Sequence, residues 1–298
     1  MSATVAVAGA TGVIGHAIAH RLAAGGHRVR TVGRGEGADV RFDLARDAAL
    51  DPAALAGCDA LVHAAGVTDE DFAQPALAWA KAERGAAALV DAARRAGVRR
   101  FAYVSSAHVY GPLEGRIDEA RAPVPRSDYA RAHLATERIF TEAAAQDCVL
   151  IARPCAAYGM PPSLARFARW SLIPFDFPRQ SIGGRIVLKS HGGQRRNFVP
   201  AEGLGNLVGW WLELATPGVM IANAPGRDEM SVYDFARLCA TIGGSATGRP
   251  CEVERPPASG PLPEPFEYRT RVGGHLPGPS LEEHVARLVR ALLQERAS

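Results

Sequence analysis

The chain of 298 residues is 47% hydrophobic and 22% charged, which is the balance of a globular protein with one large core, or one core and a small lobe. Its formal net charge is only +3 with scattered basic residues, and no stretch is long and apolar enough to span a bilayer, so neither nucleic acid nor a membrane is an expected partner. Five cysteines without a Cys-x-x-Cys pair favour a reduced, cytoplasmic protein without a metal site.

The first predicted elements are a short strand over residues 4–8, a glycine turn, and a helix over residues 14–24. Glycines let a backbone turn sharply and approach a ligand closely. The free N–H groups and the dipole at the start of the helix favour a diphosphate. The turn therefore predicts a dinucleotide site, held by Gly9, Thr11, Gly12, Val13, Ile14 and Gly15.

The second predicted strand, residues 28–32, ends just before Arg34. A site selective for NAD usually has an acidic residue here for the ribose 2′-hydroxyl, whereas an arginine suits the 2′-phosphate of NADP. Arg34 therefore favours NADP(H), although NAD(H) is possible because Glu36 could serve the ribose if the loop folds back. After a short third strand, Asp43 is a candidate acceptor for the adenine amino group, next to Leu44.

Apolar strand-like runs and helical segments alternate along the chain, which predicts an α/β fold, a Rossmann-type doubly wound parallel sheet. The alternation fades after Tyr158, where proline and glycine become frequent. We therefore expect a dinucleotide-binding domain over residues 1–155 and, over residues 156–298, mostly a smaller substrate lobe at the carboxyl edge of the sheet. The other predicted strands are residues 60–64, 100–105, 149–153 and 219–222, the last returning to the sheet, and the other predicted helices are residues 75–96, 129–146 and 231–242.

Several further motifs follow the glycine turn, at residues 61–66, 103–111, 153–159, 193–199 and 222–232. Through them the chain resembles the extended short-chain dehydrogenase/reductase family, specifically its NAD-dependent epimerase/dehydratase branch. The resemblance runs from end to end and implies the Rossmann fold. It also implies that His63, Ala64 and Ala65, at the end of the fourth strand, lie beside the nicotinamide of the cofactor.

The resemblance further implies a catalytic set. In this family a tyrosine exchanges a proton, a lysine four residues later lowers its pKa and holds the ribose, and a serine or threonine holds the substrate oxygen. The matching positions are Tyr129, His133 and Ser106, so a histidine replaces the lysine. Because histidine is shorter and mostly neutral above about pH 6.5, we expect His133 to bind the ribose but to assist the tyrosine less. Lys81 could supply the missing charge; alternatively, Tyr129 and His133 are simply a helix face packed on the sheet.

The candidates for substrate binding are His108, Arg196 and Arg255. Guanidinium groups bind phosphate bidentately, so the arginines suit a diphosphate, although both could be ordinary surface charges. Dehydratases of the family carry an acidic pair directly after the catalytic serine or threonine, and this chain has Ala107 and His108 there, which disfavours dehydration. The aromatic residues 167–182 suit either a lid over an apolar substrate or the hydrophobic underside of the lobe.

The leading interpretation is an NAD(P)(H)-dependent oxidoreductase that reduces a keto group of a small molecule, with the 4-keto group of a nucleotide-linked sugar as a candidate. The first alternative is a nucleotide-sugar epimerase, which recycles its cofactor in place. The second is a dinucleotide-binding sensor or scaffold with a degenerate catalytic site. Since family members commonly pair through the tyrosine-bearing helix and the helix before it, we expect a homodimer through residues 75–96 and 129–146.

Overall fold

The computed structural model describes residues 2–143, 147–214, 216–258 and 266–297. The strands in these ranges are β1 (Thr4–Ala8), β2 (Arg28–Gly33), β3 (Val40–Arg41), β4 (Ala60–His63), β5 (Arg100–Val104), β6 (Gly115–Ile117), β7 (Cys148–Pro154), β8 (Ala156–Tyr158), β9 (Arg185–Val187), β10 (Arg195–Pro200), β11 (Gly218–Ala224), β12 (Asp228–Ser231), β13 (Glu252–Glu254) and β14 (Phe266–Tyr268).

The α-helices are α1 (Val13–Ala24), α2 (Pro75–Ala80), α3 (Ala86–Arg95), α4 (Asp128–Ala143), α5 (Ile173–Ser181), α6 (Ala201–Leu214), α7 (Val232–Thr247) and α8 (Leu281–Ala297). Three short 3₁₀ helices follow β3, β4 and β5, at Pro52–Leu55, Asp69–Ala73 and Ala107–Tyr110. Of the predicted helix over residues 129–146, residues 144–146 lie outside the described ranges. None of the helices in those ranges combines the length and apolar character that crossing a bilayer requires.

Seven parallel strands form the main sheet, in the spatial order β11-β7-β5-β4-β1-β2-β3. The central strands are buried on both faces because α1 and α6 cover one face and α3 and α4 the other. Strands covered on both sides read as continuous apolar runs, and such runs predicted six of these seven strands. The prediction of a doubly wound α/β fold is confirmed.

Helices α2 and α3 form one helical stretch that differs from the regular helix predicted over residues 75–96. A π-helical turn, Lys81–Gly85, joins them. The hydroxyl of Thr136 on α4 donates to the Ala82 carbonyl oxygen at 2.7 Å, so this carbonyl has a partner inside the protein. At Gly85 the stretch touches the loop after β3, where an added Cβ would collide with the Leu44 carbonyl oxygen. The widened turn therefore sits where the helix meets that loop.

Helix α6 was not among the predicted elements, and it packs beside α1 on the main sheet. Its contact is close because Gly205 faces α1, where an added Cβ would lie 2.8 Å from the Cβ of Arg21. Leu204, Leu207 and Trp211 of α6 bury their side chains in the same core as β1 and β4. The second face of the sheet is thus completed by a helix from the carboxyl half of the chain.

Most of the remaining elements form a lobe with its own core, which starts where β8 follows β7 at the carboxyl edge of the main sheet, whereas β6 and β14 pair with each other in a separate small core. Helices α5, α7 and α8 pack in the lobe around β10. Phe175 and Phe177 belong to this core, so this part of the aromatic stretch lies on the underside of the lobe. Val13, the first residue of α1, also packs against the lobe core. The start of α1 therefore lies between the sheet and the lobe.

A buried polar network joins β14 to the carboxyl edge of the main sheet. The guanidinium of Arg153, at the end of β7, donates to both carboxylate oxygens of Glu137 on α4, at 2.9 and 2.6 Å. The hydroxyl of Tyr268 in β14 donates to the Arg153 carbonyl oxygen at 2.6 Å. Tyr110 donates to the side-chain oxygen of Asn223 in β11 at 2.8 Å. Because each buried group has a partner, the network fixes β14 against the ends of β7 and β11.

Candidate active site

The glycine turn between β1 and α1 is built for a close approach of backbone segments. Gly9 has a φ of +89°, and an added Cβ would lie 2.8 Å from backbone atoms of Ala64 and Ala65 after β4. A Cβ on Gly15 would collide with the Gly9 carbonyl oxygen. Gly12 caps α1 without a side-chain hydrogen bond, and the first turn carries no acidic residue. These features fit the diphosphate of a dinucleotide, because the N–H groups at the helix start stay available to an anion.

The next residues of the turn lie at the junction of sheet and lobe. Thr11 is exposed, while Val13 and Ile14 are half-buried. Val13 packs on the lobe core, whereas Ile14 packs on the core between α1 and the sheet. The turn is thus held from both sides, which keeps its backbone in place for a ligand.

The residues proposed for the adenosine half lie after β2 and β3. Arg34 is exposed, and no hydrogen bond or ion pair of its side chain occurs within the described ranges. Asp43 accepts a hydrogen bond from the Ala45 N–H at 2.9 Å, and Arg46 lies 4.0 Å away. Asp43 therefore orders its own loop, and Leu44 beside it is buried. The free guanidinium of Arg34 can reach an anion without breaking a contact.

His63 ends β4, but its ring faces the core rather than the cleft. It stacks between Tyr103 and Phe140, with ring centroids at 5.2 and 5.7 Å. Burial lowers the pKa of His63 to about 3. Within the described part of the chain its Nδ1 has no hydrogen-bond partner. The ring is therefore neutral at physiological pH. His63 approaches the glycine turn only through its backbone, which leads into Ala64.

Two hydroxyl groups meet at the carboxyl edge of the sheet. Ser106 follows β5 and caps the next 3₁₀ helix, accepting a hydrogen bond from the His108 N–H at 3.2 Å. Tyr129 is the second residue of α4 and is half-buried. Burial raises the pKa of Tyr129, and the nearby Ser106 side chain opposes that shift; His108 lies between the two, its N–H bonded to Ser106 and its ring edge-on to Tyr129. The structure therefore brings Ser106 and Tyr129 together.

His133 lies one helical turn after Tyr129 and is almost completely buried, with 3% of its surface exposed. Its Nδ1 lies 2.7 Å from the hydroxyl of Tyr103 on β5, and its ring meets the Tyr129 ring edge-on at 4.5 Å. Gly66 leaves room for it, since an added Cβ would lie 2.9 Å from the His133 Cε1. Burial lowers the pKa of His133 to about 3. A neutral ring thus stands where the family has a charged lysine.

Lys81 lies near the histidines, but its charge is paired. The ammonium is 2.9 Å from a carboxylate oxygen of Asp71, in the turn that Thr68 caps. The charge of Lys81 contributes to the lowered pKa of both His63 and His133, after burial. Asp71 therefore offsets the charge of Lys81, the residue that the sequence offered as a substitute for the missing lysine.

The three substrate candidates are spread across the cleft and the lobe. His108 is open to solvent and lies edge-on to the Tyr129 ring, at 5.9 Å. Its pKa is lowered by the surrounding protein and by the charge of Arg196, a half-buried residue of β10. The guanidinium of Arg255 instead covers the Tyr233 ring at 3.7 Å, within the lobe. His108 therefore lies next to Tyr129 and within the influence of the Arg196 charge, whereas none of the described contacts of Arg255 involves these residues.

Tyr103 is a site residue that the motifs did not reveal. Side chains alternate along a strand, so Phe101, Tyr103 and Ser105 share one face of β5. That face of β5 packs against α3 and α4, and Phe101 and Tyr103 are buried in the core between them. Alternation together with the Tyr129–His133 spacing could have placed Tyr103 opposite His133.

Comparison with known proteins identifies the family. The model of the NAD dependent epimerase/dehydratase family matches residues 5–218. A Streptomyces sp protein, 3-diazoavenalumate denitrifying reductase, is 37% identical over 131 residues, which are 40% of this chain and 43% of that protein. The mouse dTDP-D-glucose 4,6-dehydratase is 31% identical over 166 residues, 51% of this chain and 42% of the enzyme. The matches thus span less than half the length of these curated relatives.

Solved structures agree over nearly the whole chain. MoeE5 in complex with UDP-glucose and NAD superimposes with a TM-score of 0.78 at 22% identity, covering 98% of this chain and 99% of MoeE5. RMD from Pseudomonas aeruginosa, complexed with NADPH, gives a TM-score of 0.69 at 19% identity, covering 96% and 98% of the two chains. At such identities the likeness shows the fold, and these similar folds hold NAD in one case and NADPH in the other.

Proposed function

This chain belongs to the NAD dependent epimerase/dehydratase family, and from that premise we propose that it is an NAD(P)(H)-dependent oxidoreductase that reduces a keto group. The observation that carries the proposal is that the side chains of Ser106 and Tyr129 lie close together, on either side of His108, at the carboxyl edge of the sheet. In open α/β sheets this edge is where ligands bind. A binding-only protein would need no such pair.

The protonation of Tyr129 favours reduction. Burial raises the pKa of its phenol, and the neutral His133 does not lower it as a lysine would. The phenol therefore carries its proton at neutral pH and can give it to a substrate oxygen that gains negative charge. Ser106 donates a hydrogen bond to the same oxygen and orients it. A bound dinucleotide would supply the hydride.

We assign the dinucleotide to the glycine turn, with NADP(H) preferred over NAD(H). The turn supplies free N–H groups at the start of α1, and the unpaired Arg34 suits a 2′-phosphate. Gly9 and Gly15 let the backbone segments of the turn pack closely on one another and on Ala64 and Ala65.

We take the substrate class from family resemblance and from local charge. MoeE5 binds UDP-glucose, and Arg196, whose charge influences His108 next to Tyr129, offers a guanidinium for a phosphate group. A nucleotide-linked 4-keto sugar meets both conditions, with Arg255 as a more distant contact. A cytoplasmic homodimer through the α2–α3 stretch and α4 stays part of this proposal.

The test is oxidation of NADPH in the presence of a panel of nucleotide-linked 4-keto sugars. We expect net NADPH consumption with at least one of them, because a reductase uses one cofactor molecule per turnover. Turnover without net consumption would identify an epimerase instead. The variant Tyr129→Phe should lower kcat about 10²–10⁴-fold while its affinity for NADPH stays the same, and full activity of that variant would refute the assignment.

A second candidate function is a dinucleotide-binding sensor or scaffold. It is favoured by the buried, neutral His133, whose Nδ1 is engaged by Tyr103. Binding of NADPH without turnover of any keto substrate in the panel would support this candidate over the reductase.

A further inference from the structure

One segment of the lobe, residues 159–172 between β8 and α5, has no regular secondary structure. We call it the lobe segment. Two turns shape its backbone, with the Phe167 N–H donating to Leu164 at 3.1 Å and the Leu172 N–H donating to Arg169 at 3.3 Å. Phe167 and Trp170 pack edge to face at 4.9 Å and point at the lobe core. One side of the lobe segment is therefore apolar and attached to the lobe.

The opposite wall of the cleft is a rigid turn of the main domain. The 3₁₀ helix Asp69–Ala73 after β4 starts with a capping box between Thr68 and Asp71. Asp71 is also held by Lys81 at 2.9 Å. This turn presents Glu70 to solvent beside the cleft.

Glu70 connects this turn of the main domain to the lobe segment. Its Oε2 lies 3.1 Å from the Nε of Arg169, and its Oε1 accepts a hydrogen bond from the Ser171 hydroxyl at 2.8 Å. Phe72, in the same 3₁₀ helix as Glu70, and Tyr129 pack against one small core, and the charges of Glu70 and Arg169 influence the phenol. The contact thus bridges the main domain and the lobe next to the proposed proton donor.

We propose that Glu70, Arg169 and Ser171 form a clasp that closes the lobe segment over Tyr129 and opens to admit substrate. The proposal rests on the assigned role of Tyr129 only for what the clasp encloses; its opening is a property of the lobe segment itself. The clasp consists of one partly exposed ion pair and one exposed hydrogen bond, which are weak interactions where water reaches them. It therefore holds the segment closed most of the time and still allows frequent opening.

The test is limited trypsin digestion, followed through the peptide bond after Arg166, an exposed residue of the lobe segment. Cleavage requires local opening, so its rate reports the open population. We expect Glu70→Ala to increase this cleavage rate about fivefold to tenfold, because the substitution removes one weak ion pair and one hydrogen bond. Ser171→Ala should give a smaller increase. The charge-reversed pair Glu70→Arg with Arg169→Glu should restore a rate within about twofold of the wild type, whereas Arg169→Glu alone should not.

The matched control is Asp91→Ala, which removes an exposed ion pair to Arg95 on α3 and should leave cleavage after Arg166 unchanged. A wild-type cleavage rate in Glu70→Ala would overturn the clasp. So would a failure of the charge-reversed pair to slow cleavage relative to Arg169→Glu. NADPH binding by the same proteins is measured in parallel. If the wild-type protein does not bind NADPH, the proposed function is refuted, but the cleavage rates still decide whether the clasp holds the lobe segment.

Discussion

At the scale of single residues, the exchange at position 133 changes how charge is distributed around Tyr129. A lysine is a permanent cation near the phenol, whereas His133 is buried, bonded to Tyr103 and neutral. Gly66 and Tyr103 both adapt to the ring, one by lacking a side chain and the other by its hydroxyl. Gly66 therefore leaves space for the His133 ring, and Tyr103 gives it a hydrogen-bond partner.

The proposed preference for NADP(H) also rests on one residue, Arg34. We expect Arg34→Ala to weaken NADPH binding about tenfold or more, because a hydrogen bond to a charged group contributes about 1.5–3 kcal/mol. Binding of NADH should change by less than about twofold, since NADH lacks the 2′-phosphate. Titration calorimetry with both dinucleotides measures this difference. Arg46→Ala, in the neighbouring loop, serves as the control, and an equal loss for NADPH and NADH would contradict the assignment.

The motifs predicted the positions of Ser106 and Tyr129 because each stands in a local pattern of strand, turn or helix start. They did not predict the partners of the charged groups. Lys81 pairs with Asp71, ten residues away, and Glu70 pairs with Arg169, about a hundred residues away. The first contact depends on how the turn after β4 packs on the helical stretch and the second on how the lobe packs on the sheet, and no local spacing encodes either. The cleft was thus predictable in outline, and its electrostatics were not.

At the scale of elements, the widened turn between α2 and α3 shapes the loop after β3. Gly85 leaves space for the Leu44 backbone, and Leu44 directly follows Asp43 in the proposed adenosine site. The hydroxyl of Thr136 satisfies the Ala82 carbonyl oxygen on the same turn. The helical stretch and the loop therefore support each other.

We expect Gly85→Ala to lower the free energy of unfolding by about 1–3 kcal/mol, because the added methyl group would displace the Leu44 backbone. NADPH affinity should fall with it. The matched control is Gly209→Ala in α6, where an added Cβ has nothing within 4 Å. That change should instead stabilise the protein by about 0.5–1 kcal/mol, as alanine is the better helix former. Urea unfolding measures both variants, and equal effects would contradict this interpretation.

The elements that the sequence predicted correctly are those with one clear periodicity. The buried strands read as continuous apolar runs, and α1, α4 and α7 begin after recognisable turns. Helix α6 escaped prediction because it contains Gly203, Gly205 and Gly209, which weaken a helical pattern. Gly205 is needed for the close packing on α1. The widened turn escaped for a related reason, since it changes the helical period over only five residues.

At the scale of the whole molecule, three buried histidines link stability to pH. Burial lowers the pKa of His63 and His133 to about 3 and that of His284, in the lobe, to about 4. In the unfolded chain each would titrate near pH 6.5. Below that pH the unfolded state binds more protons than the folded state, so stability falls as the pH drops from about 6.5 toward 4.

Each of these histidines should therefore remove about 1.3 kcal/mol of stability between pH 7.5 and pH 5.5. We expect His284→Gln to reduce the total loss over this range by that amount, whatever its effect on stability at pH 7.5. Unfolding in urea at the two pH values measures the difference. His20→Gln, at an exposed position of α1, should keep the full loss. An unchanged loss in His284→Gln would show that the lobe does not take part in the acid sensitivity.

The network around Arg153 has a consequence for the order in which the molecule is completed during synthesis. Arg153 and Glu137 are made in the first half of translation or soon after it, but the hydroxyl that caps the Arg153 carbonyl belongs to Tyr268. Until Tyr268 leaves the ribosome, the Arg153 carbonyl oxygen at the end of β7 lacks this hydrogen-bond donor. The nascent chain therefore reaches its mature packing there only after β14 has emerged.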